Sequence, residues 1–587
     1  MSLSLSAPGR RIGGLVGSVA ALALVVSAVW ANPVAAQAAG SITGEITSRA
    51  NAPLSEVQVF IVGTQMGGLT GSNGRYLIRN VPAGTHQLRA MRIGYETVTQ
   101  AVTVTAGQAS AANFQLSEQA LGLDELVVTG TAGAARRREV GNSIVQIQAS
   151  QLAAPPPNVD QMLQASSPGL LVSASNGSSG SGAQIRLRGA VSVSQSNQPI
   201  VYIDGVRVRS EPYARNQSPN EIAGRGGNVT ASPLSDINPA DIERIEVIKG
   251  SAASTLYGTE AAAGVIQIFT KRGSQGAPRW NLQIDQGFNK LMPFAPDVDV
   301  RPPGDPKPEG EKYSYKYLNM DPYLRNGYRQ KYSLSVAGGA QTLQYFISGQ
   351  MDSNEGVLPK DYEDKKGVRG NFTFTPINAL TVQVNSAYNR TDISNTPAGN
   401  NAQGLTLNAF RRERNYFQLG DPDSIRLIIL DPYDITTRID RFMLGGTASY
   451  DPGGAFNAKI TVGYDEALQD NRQIRPYGFR QEPKGKLYAS TGNYSTLTAD
   501  VVGSYRKALG ADNSVTLSAG GQSVTRDTRI MEGEGTNYAG PGNPDIDAAA
   551  NQLSWESRVR EVNAGFFGQA LFNLKDRYFI TAGLRVD

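Results

Sequence analysis

The chain has 587 residues, a net charge of +4, 64 glycines, 24 tyrosines, a single histidine and no cysteine. That length exceeds one ordinary domain, and the missing cysteines exclude disulfides, thiol catalysis and cysteine-held metals. One histidine, His86, excludes a histidine-based triad or a multi-histidine zinc site, and the absence of a basic stripe with interleaved aromatics argues against nucleic acid.

Arg10 and Arg11 precede an apolar run over 12–30, and small residues follow up to Ala36-Gln37-Ala38. Basic, apolar, then small is the order of a signal peptide, so 1–38 is expected to be cleaved after Ala38. No later run is continuously apolar for ~18 residues, so further membrane residence would be as strands.

Residues 39–117 read as short alternating strands punctuated by glycine and proline. Asn73-Gly74 is predicted to be a type I′ hairpin turn, because both central positions need positive φ. Gly44, Pro53, Leu54, Gly63, Thr64, Gly74, Tyr76, Pro82, Gly84, Gly94 and Tyr95 follow one another in an order that resembles the carboxypeptidase regulatory-like domain. That resemblance implies an accessory immunoglobulin-like β-sandwich without peptidase activity. His86, with no ligand neighbours in sequence, is expected to be a packing or surface residue.

The segment 118–138 carries Leu123-Asp124-Glu125-Leu126-Val127-Val128-Thr129-Gly130. Its β-branched residues favour extended backbone, and Gly130 and Gly133 give slack beyond it. Arg136 to Arg138 is expected to be a solvated basic turn.

From 139 to 273 the pattern is mixed α/β. Asn158 is a candidate N-cap for a short helix over 158–165. Ile185 to Gly189 alternates as a strand that places Arg186 and Arg188 on one face, and Ile200 to Ile203 leads into an Asp204-Gly205 turn. Glu243, Glu246 and Lys249 lie on or beside another strand face. In Asp241–Gly273, Ile245 and Val247 alternate with Arg244 and Glu246 as in a strand with one buried face. Ser251 is positioned to cap a helix over 251–257, Gly258 to end it, and Val265 to Phe269 form a second strand. No nucleophile–base pair, paired carboxylate or metal-ligand cluster occurs here, and GSSGSG (177–182) lacks the Lys-Ser/Thr ending of a phosphate loop.

After Gly273 the texture changes to alternating strands of about ten residues, the length a tilted membrane strand needs. Phe456, Ala458, Ile460, Val462 and Tyr464 alternate with Asn457, Lys459, Thr461 and Gly463. Short turns near 375–378 and 451–454 and longer polar segments near 290–328, 391–438 and 527–558 suit the two sides of an outer-membrane barrel. About eleven strands are counted, against about 22 for a plugged transporter barrel. The reading over 274–587 is therefore the first half of a large antiparallel transmembrane barrel. The fold class is mainly β: sandwich, mixed α/β plug and partial barrel.

Pro199 to Val208 (PIVYIDGVRV) and Asp241–Gly273 resemble conserved elements of the plug in TonB-dependent outer-membrane receptors, in its SusC/RagA-like version. The matching positions are Arg188, Gly189, Tyr202, Asp204, Gly205, Glu246, Lys249, Tyr257, Gly258, Gly264, Thr270, Lys271 and Gly273. Leu123 to Gly130 resembles the TonB box of that family, with Thr131-Ala132 where many relatives have Gly-Tyr. The resemblance implies energy-coupled import of a bulky nutrient (oligosaccharide, peptide or siderophore) without catalysis, cofactor or metal. The implied partners are TonB with the ExbB–ExbD motor, a SusD-like surface lipoprotein and outer-membrane lipid, with the sandwich and box in the periplasm of a Gram-negative cell. Alternatives are a TonB-linked signalling receptor and an exported adhesin.

Overall fold

A computed structural model describes residues 39–587 except 49–51, 56, 63, 65, 72, 93–97, 117–125, 129–133, 137–142, 152–157, 165–167, 175–176, 194–195, 220–229, 250–252, 292–322, 398–403, 406–430, 511 and 543. The expected signal segment lies outside these. The chain divides into two compact units, Met1–Asp124 and Glu125–Asp587.

The first unit is built from β1 (Gly40–Ser48), β2 (Gln58–Ile61), β3 (Gly67–Leu69), β4 (Arg75–Val81), β5 (Gly84–Met91), β6 (Val98–Val104), β7 (Ala109–Ala111) and β8 (Phe114–Leu116). β1 pairs with β4, β7 and β8 in one sheet, and β3-β2-β5-β6 form the other. Alternate residues of both sheets, among them Ile42, Ile46, Val59, Ile78 and Leu88, close over one apolar core, the arrangement of a β-sandwich. The Asn73-Gly74 expectation is corrected. Only Gly74 has a positive φ (+73), and the turn joins β3 to β4, which belong to different sheets. Asn73 instead accepts a 3.1 Å bond from the Arg75 amide through its own side chain. His86 sits on β5 with Nε2 2.8 Å from the Pro82 carbonyl oxygen.

The second unit opens with β9 (Leu126–Val128) paired antiparallel to β10 (Ala134–Arg136), so Arg136 lies in a strand rather than in a basic turn. The plug follows: β11 (Ser143–Gln148), α1 (Val159–Leu163), β12 (Leu170–Ala174), β13 (Ala183–Leu187), β14 (Ile200–Ile203), β15 (Val206–Val208), β16 (Ile242–Lys249), α2 (Ser254–Tyr257) and β17 (Val265–Thr270). The central sheet has the order β11-β16-β17-β14-β15, and β12 and β13 form a separate hairpin. Asn158 caps α1 as expected, accepting from the Gln161 amide at 2.9 Å. The strand before Arg188 ends at Leu187, and Arg188 (φ +58) and Gly189 (φ +92) turn away in left-handed backbone, so Arg186 and Arg188 do not share a strand face.

Helix α2 begins at Ser254, later than expected, and its N-cap position is Ala253, without a side-chain bond; Ser251 lies outside the described residues. Gly258 (φ +85) ends α2 as expected. The one-sided burial expected of β16 is also corrected. From Ile245 to Lys249 every residue is buried, and Glu246 is 0% exposed. The strand is interior to its sheet and covered on both faces, so its period-2 pattern separates apolar from paired polar residues.

The wall consists of β18 (Gly276–Asn289), β19 (Gly327–Gly339), β20 (Leu343–Glu355), β21 (Tyr362–Ile377), β22 (Leu380–Ser394), β23 (Asp434–Tyr450), β24 (Phe456–Arg475), β25 (Lys486–Ala508), β26 (Asn513–Tyr538), β27 (Ala549–Leu574) and β28 (Tyr578–Val586). These form one antiparallel 11-stranded sheet in chain order. The segments 391–394, 434–438, 527–538 and 549–558, expected as loop, are strand; Asp527 pairs with Arg560 and Thr536 with Asn551. Backbone pairing holds these polar stretches together, although their side chains do not alternate in the apolar manner that marks a membrane strand.

On β24 the outward positions Phe456, Ile460 and Val462 are exposed while the inward Thr461, Asp465 and Gln469 are buried. The outward apolar set runs from Phe456 to Tyr464, roughly the 9–11 residues that a tilted strand needs to cross a bilayer. Beyond it the outward residues become mainly charged, Glu466, Asp470 and Arg472, with Leu468 among them. β23 repeats the belt between Phe442 and Tyr450, and β25 between Leu497 and Tyr505, with aromatic residues at its margins.

Candidate functional site

The polar inner face of the wall meets the plug. Asp204 (φ +49) and Gly205 (φ +89) form the type I′ turn that joins β14 to β15. The Asp204 carboxylate accepts from the Thr270 amide at 3.0 Å and from the Thr270 hydroxyl at 2.5 Å. Asn371 of the wall donates to Thr270 Oγ1 at 2.8 Å and to the Lys271 carbonyl at 2.7 Å. One chain of bonds thus runs from the plug turn through the end of β17 into β21. Gly273 lies against β20, where a Cβ would stand 2.6 Å from the Tyr345 carbonyl oxygen, so a side chain has no room there.

A second contact is ionic. Arg441 of β23 binds Asp465 of β24 at 2.8 and 3.3 Å, donates to the Pro233 carbonyl at 2.6 Å and lies 3.6 Å from Asp236 of the plug. Tyr213 and Thr391 donate to the same Asp236 carboxylate at 3.3 and 3.2 Å. Burial pushes the Asp236 carboxyl up, against the opposing pull of Arg441. Arg369 reaches Asp241 at 3.6 Å in a parallel contact. A third contact fixes the 177–182 loop: the Ser179 amide donates to both Asp361 oxygens at 3.1 and 3.3 Å, and Asn395 donates to Asp361 at 3.2 Å. The seam is therefore rich in hydrogen bonds and ion pairs, and it also carries apolar contacts: Ala387 and Met443 against the plug core, Ile393 and Ile439 in a cluster with Tyr213, and Val502 and Phe567 with Leu256.

The remaining expected plug positions fall in three groups. Glu246 pairs with Arg244 at 3.0 Å, and Lys249 donates to the Pro168 carbonyl at 2.8 Å, both inside the plug. Tyr257 stacks at 5.5 Å on Tyr202 and accepts from Gln267, while Tyr202 accepts from Gln522 of the wall at 3.2 Å. Gly258 and Gly264 (φ +95) flank a 3-10 turn over Thr259–Ala263 that the sequence did not announce. Arg188 and Gly189 stand at the end of β13 and are not brought to the wall contacts above. Of the expected coupling segment, Leu126–Val128 is strand, and Leu123, Asp124, Glu125, Thr129 and Gly130 lie outside the described residues.

Sequence reasoning missed Asp236, Arg369, Arg441 and Asp465. For Arg369, Arg441 and Asp465 the signal was polarity at inward positions of otherwise apolar-alternating strands, whereas Asp236 lies in a 3-10 turn over Pro233–Asp236 and carried no such signal. The described part of the 209–232 loop reaches the wall end that carries the longer connections: Asn216 donates to the Thr436 and Arg472 carbonyls at 2.8 and 3.1 Å.

Residues 136–265 match the TonB-dependent Receptor Plug Domain model, and residues 42–128 match the CarboxypepD_reg-like domain. The TonB-dependent receptor SusC of Bacteroides thetaiotaomicron is 28% identical over 335 residues, covering 54% of this chain and 30% of the relative. The TonB-dependent receptor P26 of Formosa agariphila is 24% identical over 509 residues, covering 79% and 48%. The chain spans less than half the length of these relatives. The RagAB peptide importer in its open-open state superposes with a TM-score of 0.64 at 15% identity, covering 78% of this chain and 56% of that one, which shows a shared fold. The chain thus carries a CarboxypepD_reg-like domain and a TonB-dependent receptor plug domain ahead of an apolar-belted strand wall, and it is similar to TonB-dependent receptors such as SusC, with the fold shared by RagAB.

Proposed function

We propose that the protein is an energy-coupled importer in the outer membrane of a Gram-negative bacterium, taking up a bulky oligosaccharide, peptide or siderophore. The observation that carries this reading is the polar seam between plug and wall. Hydrogen bonds and ion pairs exchange with water at far less cost than a dry core, so such a plug can be displaced without unfolding the wall. Leu123 to Gly130 is the TonB box in this reading. Its extended core, Leu126–Val128, adds as a strand to the edge of a TonB sheet, where backbone bonds carry the load. TonB is driven by the ExbB–ExbD motor, the sandwich stands in the periplasm after removal of 1–38, and a SusD-like lipoprotein covers the outer mouth.

Replacing Val127 with proline removes a backbone N–H and tests the coupling. In cells offered tagged oligosaccharides, peptides and ferric siderophores, the substrate that the wild type takes up is expected to remain bound at the surface of V127P cells and not enter. Unchanged entry would sink the reading.

A further inference from the structure

A cleft of about 440 Å³ opens between the plug hairpin and the inner faces of β25, β26 and β27. That volume is in the range that holds a small organic group. Its lining includes Arg207, Arg209, Glu211 and Glu260 from the plug and Arg526 and Glu561 from the wall. The charges are equal in number, but they are unequally engaged. Arg526 is held by Glu260, by Glu561 at 2.7 Å and by Glu211 at 3.6 Å. All three carboxylates thus converge on one guanidinium.

Arg207 is less engaged, with its guanidinium 5.8 Å from the centroid of the Tyr202 ring. Its side chain is 3% exposed, and its nearest carboxylate is Glu260 at 3.8 Å, a group already taken by Arg526. Among the described residues, Arg207 Nε and Nη1 have no acceptor. Arg209 spends one nitrogen on the Pro212 carbonyl at 3.0 Å and stacks over Tyr494 at 4.3 Å, and its Nε also lacks an acceptor among the described residues. Burial pulls the Arg207 guanidinium below its ordinary range, while against burial the guanidiniums of Arg209 and Arg207 hold the Glu211 carboxyl down. A buried guanidinium with unmade bonds is costly. A carboxylate in the cleft would meet that demand, since charge-assisted bonds to guanidinium are among the strongest available.

We infer that this cleft is a binding site for a carboxylate group of the transported solute, with Arg207 and Arg209 as its donors. The site is on the lumen side of the wall, so an entering solute would meet it while passing between plug and strands. The inference rests on the import reading and narrows the cargo to molecules that carry an exposed carboxylate. Binding in detergent needs neither TonB nor a proton gradient, so its failure is distinguishable from a failure of coupling.

The test is calorimetric titration of the purified full chain in micelles with glutarate, and with glutaramide as its uncharged counterpart. Saturable glutarate binding is expected, with none for glutaramide, and Arg207→Gln should weaken it by about tenfold or more. Equal binding of the two compounds, or an unchanged affinity in R207Q, overturns the proposal. So does an R207Q chain that melts earlier yet binds glutarate as the wild type does, since the arginine would then only fasten the plug. If R207Q does not fold, Arg209→Gln takes its place under the same criteria. Wild-type melting must in either case rise with glutarate and not with glutaramide, and no rise overturns the site.

Discussion

Val206, the first residue after the plug turn, stands over Gly445 of the wall, with its Cγ2 2.6 Å from where a Cβ on that glycine would be. Gly463, the cross-strand partner of Gly445, is approached more closely still. Two paired glycines thus make a hollow that receives one valine, and the close approach requires both to lack a side chain. Gly463→Ala is expected to cost about 1–3 kcal/mol through overpacking and to raise the rate at which protease cuts the plug. Gly446→Ala is the control, because nothing lies within 4 Å of its Cβ position. Its melting and its cleavage pattern should match the wild type.

Arg441 holds two buried carboxylates, Asp465 and Asp236. Arg441→Met leaves both without their cation and should destabilise the folded chain by about 3–5 kcal/mol in urea titrations. Adding Asp236→Asn and Asp465→Asn should recover much of that loss, because the uncompensated charge disappears. A triple variant as unstable as R441M would contradict this account.

Asp361 makes the docking of the 177–182 loop pH-dependent. Burial pushes its carboxyl from 3.8 up to about 6, against the bonds from Asn395 and the Ser179 amide. The folded state therefore binds more protons than the unfolded state between those values, and stability falls as pH rises through that window. The effect is at most about 3 kcal/mol. Melting temperatures from pH 4 to 7 should decline more steeply in the wild type than in Asp361→Asn. Parallel curves would refute the assignment.

Asp204 combines a positive φ with two bonds to Thr270. Asparagine tolerates that backbone and keeps an acceptor, whereas alanine does neither. Asp204→Ala is expected to lose about 2 kcal/mol more than Asp204→Asn in thermal melts. Equal losses would mean that the turn does not depend on the side chain.

What the sequence disclosed was local. Ile460 and Val462 set against Thr461 identified a wall strand without help from any partner, and Asn158 and the Asp204-Gly205 pair carried their own cap and turn chemistry. What it concealed depended on partners far along the chain. Glu246 alternates as if exposed and is buried because β11 and β17 flank its strand. Asp527 and Arg529 look like loop residues, yet their backbones pair with β27. Arg441 and Asp465 are neighbours only through the β23–β24 register, and Asp236 reaches them from more than two hundred residues earlier. Nothing in the composition of 199–232 marked Arg207 and Arg209 as donors with bonds to spare.

The apolar belt between Phe456 and Tyr464 occupies only the lower part of its strand. β26 and β27 run for 26 residues each, about 85 Å at the usual rise per residue. Most of that length therefore lies beyond the belt, with water on its outer side while the inner side of β26 meets the plug at Gln522, Arg526 and Glu534. There the sheet is braced by rungs such as Arg390–Asp440 and Arg438–Asp392, both 2.7 Å. A single strand thus passes through two solvents, and its halves answer to different perturbations. Changes of lipid chain length act on the belt, while salt and urea act first on the collar above it.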